Sequence, residues 1–236
     1  MGTYVLEKKF ETQVEMSRNV GEVASMFGLG GRRDRMYRIL DHCEIEIEAG
    51  QVVYITGGSG AGKSVVLRML KEEIIKQESG DRNQESGDRS QESEDKKKNN
   101  ILIDLGEWEV ASGKPIVDCF GEAELEEVLG WLSMAGLSDA FAMLRKPEEL
   151  SDGQRYRFRL AQALAQRPKF IVIDEFCASL DRVTAAVVAA NVRKFADRFG
   201  TTFVVATSHD DLLEDLGPDV VVVKHLGCGC EVYYPK

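Results

Sequence analysis

The chain has 236 residues, 43% of them apolar and 30% charged, a balance that suits a soluble globular protein and excludes collagen-like or wholly disordered classes. Thirty basic residues against 40 acidic ones leave a net charge of −10, which weighs against non-specific binding to nucleic acid or to an anionic membrane. No run approaches the roughly 18–20 apolar residues needed to cross a bilayer, and the start, MGTYVLEKKF, lacks the apolar core of a secretory signal, so a cytoplasmic location without membrane insertion is expected.

Residues 3–16 have strand character, and residues 17–28 predict a short helix behind a Ser17 cap. Cys43–Ile47 and Gln51–Thr56 read as two strands around the turn Glu48-Ala49-Gly50. A helix is expected from near Gly62 to about Ile75. Residues 77–97 then spell QESGDRN, QESGDRS and QESEDKK, three copies of one heptapeptide, followed by Lys98, Asn99 and Asn100. A seven-residue period makes a coiled coil only with apolar a and d positions, and this tract has no large apolar residue. Residues 77–100 are therefore expected to be a disordered, solvated insertion, which costs a fold little.

Ile101–Asp104 reads as a short strand. Leu125, Val128, Leu129 and Leu132 fall at helical spacing within residues 121–135 and predict one apolar face. Helices are predicted over residues 153–166, stopped before Pro168, and over residues 182–198. Phe170–Ile173 and Thr202–Ala206 are apolar runs typical of parallel strands buried on both faces, and Val220–Val223 adds one more. Strands alternating with helices imply an α/β fold on a mostly parallel central sheet. The five cysteines read as reduced thiols. The close pair Cys228-Gly229-Cys230 reads as a turn, because its one-residue spacer departs from zinc-ligand spacings.

Three motifs carry chemistry. The strand QVVYIT runs into Gly57-Gly58-Ser59-Gly60-Ala61-Gly62-Lys63-Ser64 and then Val65 and the helix, a P-loop in its proper strand–loop–helix context. Glycines let successive backbone N–H groups face phosphates, the helix N-terminus adds positive potential, Lys63 reaches the β- and γ-phosphates, and the Ser64 hydroxyl suits Mg²⁺. The second motif is KFIVIDE, a buried strand ending in Asp174, a magnesium partner, and Glu175, a general base for the attacking water. The third is Leu150-Ser151-Asp152-Gly153-Gln154 ahead of the helix RYRFRLAQALAQRP, with Ser151 lying 23 residues before Asp174.

With this third motif the sequence resembles the ABC (ATP-binding cassette) ATPase family over roughly residues 35–225. LSDGQ stands where that family has LSGGQ, Ser179-Leu180-Asp181 looks like its D-loop, and Ser208-His209 looks like its switch histidine. Asp152 replaces a glycine, whereas Ser151, Gly153 and Gln154 match. The resemblance implies a P-loop NTPase with an N-terminal antiparallel β portion and a small helical subdomain, here reduced to residues 107–150. It also implies binding and hydrolysis of ATP with Mg²⁺ in a head-to-tail homodimer. One chain would give the P-loop, Asp174, Glu175 and His209, and the other Ser151, Gly153, Gln154 and Asp181.

Two family features are missing or displaced. Residues 92–153 contain no glutamine to serve as the Q-loop residue. The adenine-stacking aromatic would be Tyr37, with Phe27 as second choice and a core role open for either. The short middle and the missing glutamine favour a stand-alone ATPase that switches a soluble protein partner. The alternatives are the ATP-binding subunit of a transporter with a membrane permease on another chain, and a DNA-repair or chromosome-type ATPase.

Overall fold

The computed structural model describes residues 2–13, 17–28, 34–80, 101–110, 113–208 and 210–235. Two sheets organise it. Strands β1 (Gly2–Gln13) and β2 (Asp34–Ile47) pair antiparallel with Gly2 opposite Ile47. The larger sheet contains β3 (Val52–Thr56), β4 (Leu102–Asp104), β5 (Phe170–Ile173), β6 (Thr202–Ala206), β7 (Val220–Lys224) and β8 (Cys230–Tyr233), in the order β4-β5-β6-β3-β7-β8. All its pairings are parallel except that of β7 with β8. The α/β expectation and the N-terminal antiparallel portion are both present. The turn at Glu48-Ala49-Gly50 does not join a hairpin, however, because β2 pairs with β1 and β3 enters the other sheet.

Side chains alternate across β3, and this divides the core. Val52 and Tyr54 point into one apolar cluster with helices α3 (Leu125–Met134), α5 (Asp152–Gln166) and α6 (Arg182–Phe199). Val53 and Ile55 point into the other, shared with helix α2 (Lys63–Gly80) and with Tyr4, Leu6, Leu40 and Ile45 of the two-stranded sheet. On α6, Ala185, Val188, Ala189, Val192 and Phe195 are buried at helical spacing, so one stripe faces the sheet.

Several local expectations hold and some shift. Helix α1 (Arg18–Met26) starts behind Ser17, whose Oγ accepts from Val20 N at 3.3 Å. Helix α2 runs past Ile75 into the first repeat copy, so Gln77–Gly80 is helical and not part of a disordered insertion. It is held there by Gln77 Nε2 on Thr3 O (2.8 Å) and by an ion pair between Lys169 and Glu78 (2.7 Å). The rest of the repeat lies outside the described residues. On α3 the buried residues are Val128, Trp131 and Leu132, whereas Leu125 is 61% exposed and Leu129 38%. Trp131 takes a place on the buried face, stacking on Phe120 with ring centroids 5.8 Å apart. Helix α4 (Ala140–Met143) and α7 (Leu213–Leu216) complete the set, and among the described residues no helix is long and apolar enough to cross a membrane.

Candidate functional site

The C-terminal ends of β3, β5 and β6 lie side by side, because β6 pairs with both of the others. The three chain segments leaving those ends meet there. Thr56, the last residue of β3, leads into Gly57, Gly60 and Gly62, with φ of 143°, 75° and 99°. Ala61 N donates to Gly58 O (3.1 Å), and Val65 N and Val66 N donate to Gly62 O (3.0 and 3.1 Å), so Gly62 opens α2. Ala61 is buried and Ser59 is exposed. Lys63 folds over the loop, its Nζ donating to Gly57 O at 2.9 Å and Gly58 O at 3.1 Å. Oxygen acceptors therefore already surround this ammonium, and phosphate oxygens would supply charged ones in their place.

The segment after β5 is bent by two residues with left-handed backbones, Glu175 (φ 52°) and Cys177 (φ 57°). Three hydrogen bonds hold the bend: Glu175 N to Asp174 Oδ1 (3.0 Å), Phe176 N to Ala206 O (2.9 Å) and Cys177 N to the Tyr156 hydroxyl (3.1 Å). Non-glycine residues in this backbone region are costly and cluster where function requires them. Phe176 is fully buried, which leaves Asp174 and Glu175 exposed on the site side. A cavity of about 300 Å³ is lined by Ser59, Gly60, Lys63, Ser64, Asp174, Glu175, Thr207 and Ser208. Sequence-predicted phosphate, metal and general-base residues thus share one wall. His209 lies outside the described residues. Tyr37 lies in β2 opposite Phe10, with its side chain outside them, and Phe27 is 74% exposed at the end of α1 instead of in the core.

The residues of the third motif form a separate group. Ser151 caps α5, its Oγ accepting from Gln154 N (3.3 Å) while Gln154 Oε1 accepts from Ser151 N (3.1 Å). Asp152 is exposed and paired with Arg155 at 3.2 Å. A Cβ on Gly153 would lie 3.2 Å from both Ser179 O and a Leu180 methyl, so this position packs directly on the Ser179-Leu180-Asp181 segment. Asp181 caps α6 by accepting from Thr184 N (3.0 Å), and hydrogen bonds from the Thr184 hydroxyl and then its backbone N–H hold its carboxyl below the usual range. None of Ser151, Gly153, Gln154 and Asp181 lines the cavity around Lys63.

Sequence reasoning missed a second acidic wall. A cavity of about 360 Å³ joins Ser64 and Asp174 to Arg68, Lys71, Asp104 and Glu107. Lys71 Nζ is 2.6 Å from Asp104 Oδ2 and 2.7 Å from Glu107 Oε2. Burial pulls the Lys71 ammonium down, but these two carboxylates outweigh it and raise it. The signal was a charged pair at the end of β4, visible only once β4 is seated beside β5. Arg159 also reaches the site, lining a smaller cavity with Tyr156, Asp174 and Glu175, and its buried Nε has no partner among the described residues.

A family model described as "ABC transporter" matches residues 40–178, which include the P-loop, the third motif and the acidic pair. Among curated relatives, the methionine import ATP-binding protein MetN 2 of Acinetobacter baylyi is 28% identical over 206 residues, 78% of this chain and 57% of that protein. MetN of Clostridioides difficile is 27% identical over 202 residues, with 80% and 62% covered. The chain thus spans about three-fifths of the length of these relatives. The nickel import ATP-binding protein NikE of Pseudomonas putida is 28% identical over 227 residues, covering 89% of this chain and 82% of that one. Among solved structures, a dimeric bacterial ABC transporter cassette superposes with a TM-score of 0.65 at 18% identity over 99% of both chains. A second, cbiO1 from Clostridium perfringens, gives 0.60 at 23% identity over 84% and 83%. With the motifs, the fold and the family model in agreement over the same residues, the chain belongs to the ABC transporter family as an ABC ATPase nucleotide-binding domain.

Proposed function

We propose that this chain binds ATP with Mg²⁺ and hydrolyses it in a head-to-tail pair, as the ATP-binding subunit of a membrane transporter. The observation that carries this reading is the division of the site. Lys63, Ser64, Asp174 and Glu175 wall one cavity, while Ser151, Gly153 and Asp181 gather outside it. A nucleotide on the first group would have no signature residues from its own chain, and a second copy turned head to tail would supply them. The expectation of a soluble partner gives way to the transporter alternative, because the relatives are named import ATP-binding proteins. A permease partner on another chain follows from that likeness. Residues 107–150 act in this reading as the reduced helical subdomain.

In the proposed reaction the loop glycines and Lys63 hold the β- and γ-phosphates. The cavity wall carries the Ser64 hydroxyl and the Asp174 carboxylate, oxygen donors of the kind a hard divalent cation takes. Ser64 and Asp174 would hold Mg²⁺, which supplies charge neutralisation at the phosphates when bound. Glu175 accepts the proton of the attacking water, its carboxylate aimed by the bend that Ala206 O and the Tyr156 hydroxyl fix. By the family resemblance, His209 would contact the γ-phosphate and keep the water in line with Glu175.

Light scattering of Glu175→Gln with and without Mg·ATP tests the reading. The amide keeps the shape and removes the base, so turnover should fall by roughly 10²–10⁴-fold and ATP should convert monomer to dimer. A variant that binds ATP yet stays monomeric would assign the second half-site to another protein.

A further inference from the structure

Away from the phosphate site, two thiols from opposite ends of the chain are in contact. Cys43 Sγ on β2 lies 2.6 Å from Cys230 Sγ on β8. They meet because β2 leans on the sheet edge, where Asp41 N donates to Cys228 O (3.2 Å) and Glu46 N to the Tyr234 hydroxyl (2.9 Å). The two surroundings differ. Cys43 is 2% exposed, whereas Cys230 is only half-buried. Lys224, opposite Cys230 in the β7–β8 register, is fully buried with its Nζ on His225 O (2.7 Å) and Gly227 O (2.6 Å).

The Cys43 S–H and the Lys224 charge, against the opposing effect of burial, hold the Cys230 thiol below its ordinary value. The shared hydrogen bond and burial push Cys43 up. Cys230 is thus the better thiolate, and the better nucleophile toward an oxidant. A metal does not suit the pair: among the described residues no third His, Cys, Asp or Glu completes a ligand set, and Lys224 already brings a positive charge there.

We propose that Cys43 and Cys230 form a peroxide-reactive dithiol site, in which Cys230 is oxidised first and Cys43 resolves it as an internal disulfide. The Cys230 thiolate attacks one oxygen of a hydroperoxide, the O–O bond breaks, and the departing oxygen takes up a proton and leaves as alcohol or water. Cys230 is then a sulfenic acid. The Cys43 sulfur attacks it, the S–O bond breaks, and the thiol proton leaves with the hydroxyl as water. Two thiols and one hydroperoxide give one disulfide, one alcohol and one water, with two electrons passing from sulfur to oxygen. The bridge ties the two-stranded sheet to the edge of the larger one, beside the strand whose Lys224 carbonyl backs Gly57.

The test treats the full chain with hydrogen peroxide, counts thiols and maps peptides by mass spectrometry without reductant. The expected result is loss of two of the five thiols, a Cys43–Cys230 linked peptide, and full recovery with dithiothreitol. Cys177, buried and pushed up to about 12 by that burial, should stay a thiol. In Cys43→Ser, dimedone should trap a sulfenic acid at Cys230. Five surviving thiols, a bridge from Cys228 to Cys230, a link between two chains, or zinc retained by the reduced protein in native mass spectrometry would each overturn the proposal. The wild-type peptide map decides the matter even if Cys43→Ser does not fold.

Discussion

Gly57 and Gly58 are neighbours in sequence but face opposite constraints. A methyl at Gly57 would sit 2.1 Å from Lys224 O on a backbone with φ 143°, whereas one at Gly58 meets nothing within 4 Å. Backbone strain and overpacking together put Gly57→Ala at about 3 kcal/mol or more, a fall in Tm of roughly 6–12 °C for a chain of this size. Gly58→Ala should leave Tm within about 2 °C, a shift that corresponds to no more than about 0.5–1 kcal/mol. Equal Tm values for the two variants would show that the β7 strand does not back the loop. Lys63, Ser64, Asp174 and Glu175 were legible in the sequence because loop chemistry is local: each stands at a fixed offset from a buried strand. Lys224 was not, since its contact with Gly57 depends on β7 pairing with β3 across more than half the chain. The Cys43–Cys230 contact was hidden for the same reason.

On α3 the helical spacing was legible and the direction of the buried face was not. Four aliphatic residues nominated one face, but the larger Trp131 took the core position with Val128 and Leu132 and turned Leu125 outward. Leu132→Ala should therefore cost about 2–5 kcal/mol by leaving a cavity, while Leu125→Ala should stay within about 0.5 kcal/mol; urea unfolding of both variants measures the contrast. Helix α5 carries a link of a different kind. Its Tyr156 hydroxyl accepts from Cys177 N, two residues beyond Glu175, and so ties the signature helix to the bend that aims the carboxylate. Burial also pushes this phenol well above its ordinary value, so it stays a neutral hydroxyl across the physiological range. Tyr156→Phe strands a backbone N–H at a cost of about 1–3 kcal/mol. ATP affinity should survive while turnover falls several-fold, whereas an unchanged turnover at lowered stability would reduce Tyr156 to a packing residue.

For the whole molecule, the question is which chain completes each ATP site. The sequence shows a P-loop and a signature in one chain but not the space between them; in the fold, none of Ser151, Gly153 and Asp181 lines the cavity around Lys63. A mixing experiment follows from that separation. Lys63→Ala removes the phosphate cation and leaves the signature group untouched. Ser151→Asp keeps the cap of α5, because Asp serves an N-cap as well as Ser, yet sets a negative charge where the γ-phosphate of a facing chain would come. Each variant alone should be inactive in ATP turnover, since every site in its homodimer carries the lesion. Mixed, half of randomly formed pairs are heterodimers, and each holds one site with Lys63 from one chain and Ser151 from the other. Activity should then return to roughly a quarter of wild type, as two-fold head-to-tail geometry requires. A mixture as silent as its components would mean that Lys63 and Ser151 serve the same chain or that the chains do not pair. The circular dichroism of both variants, expected to match wild type, removes misfolding as the cause of that silence.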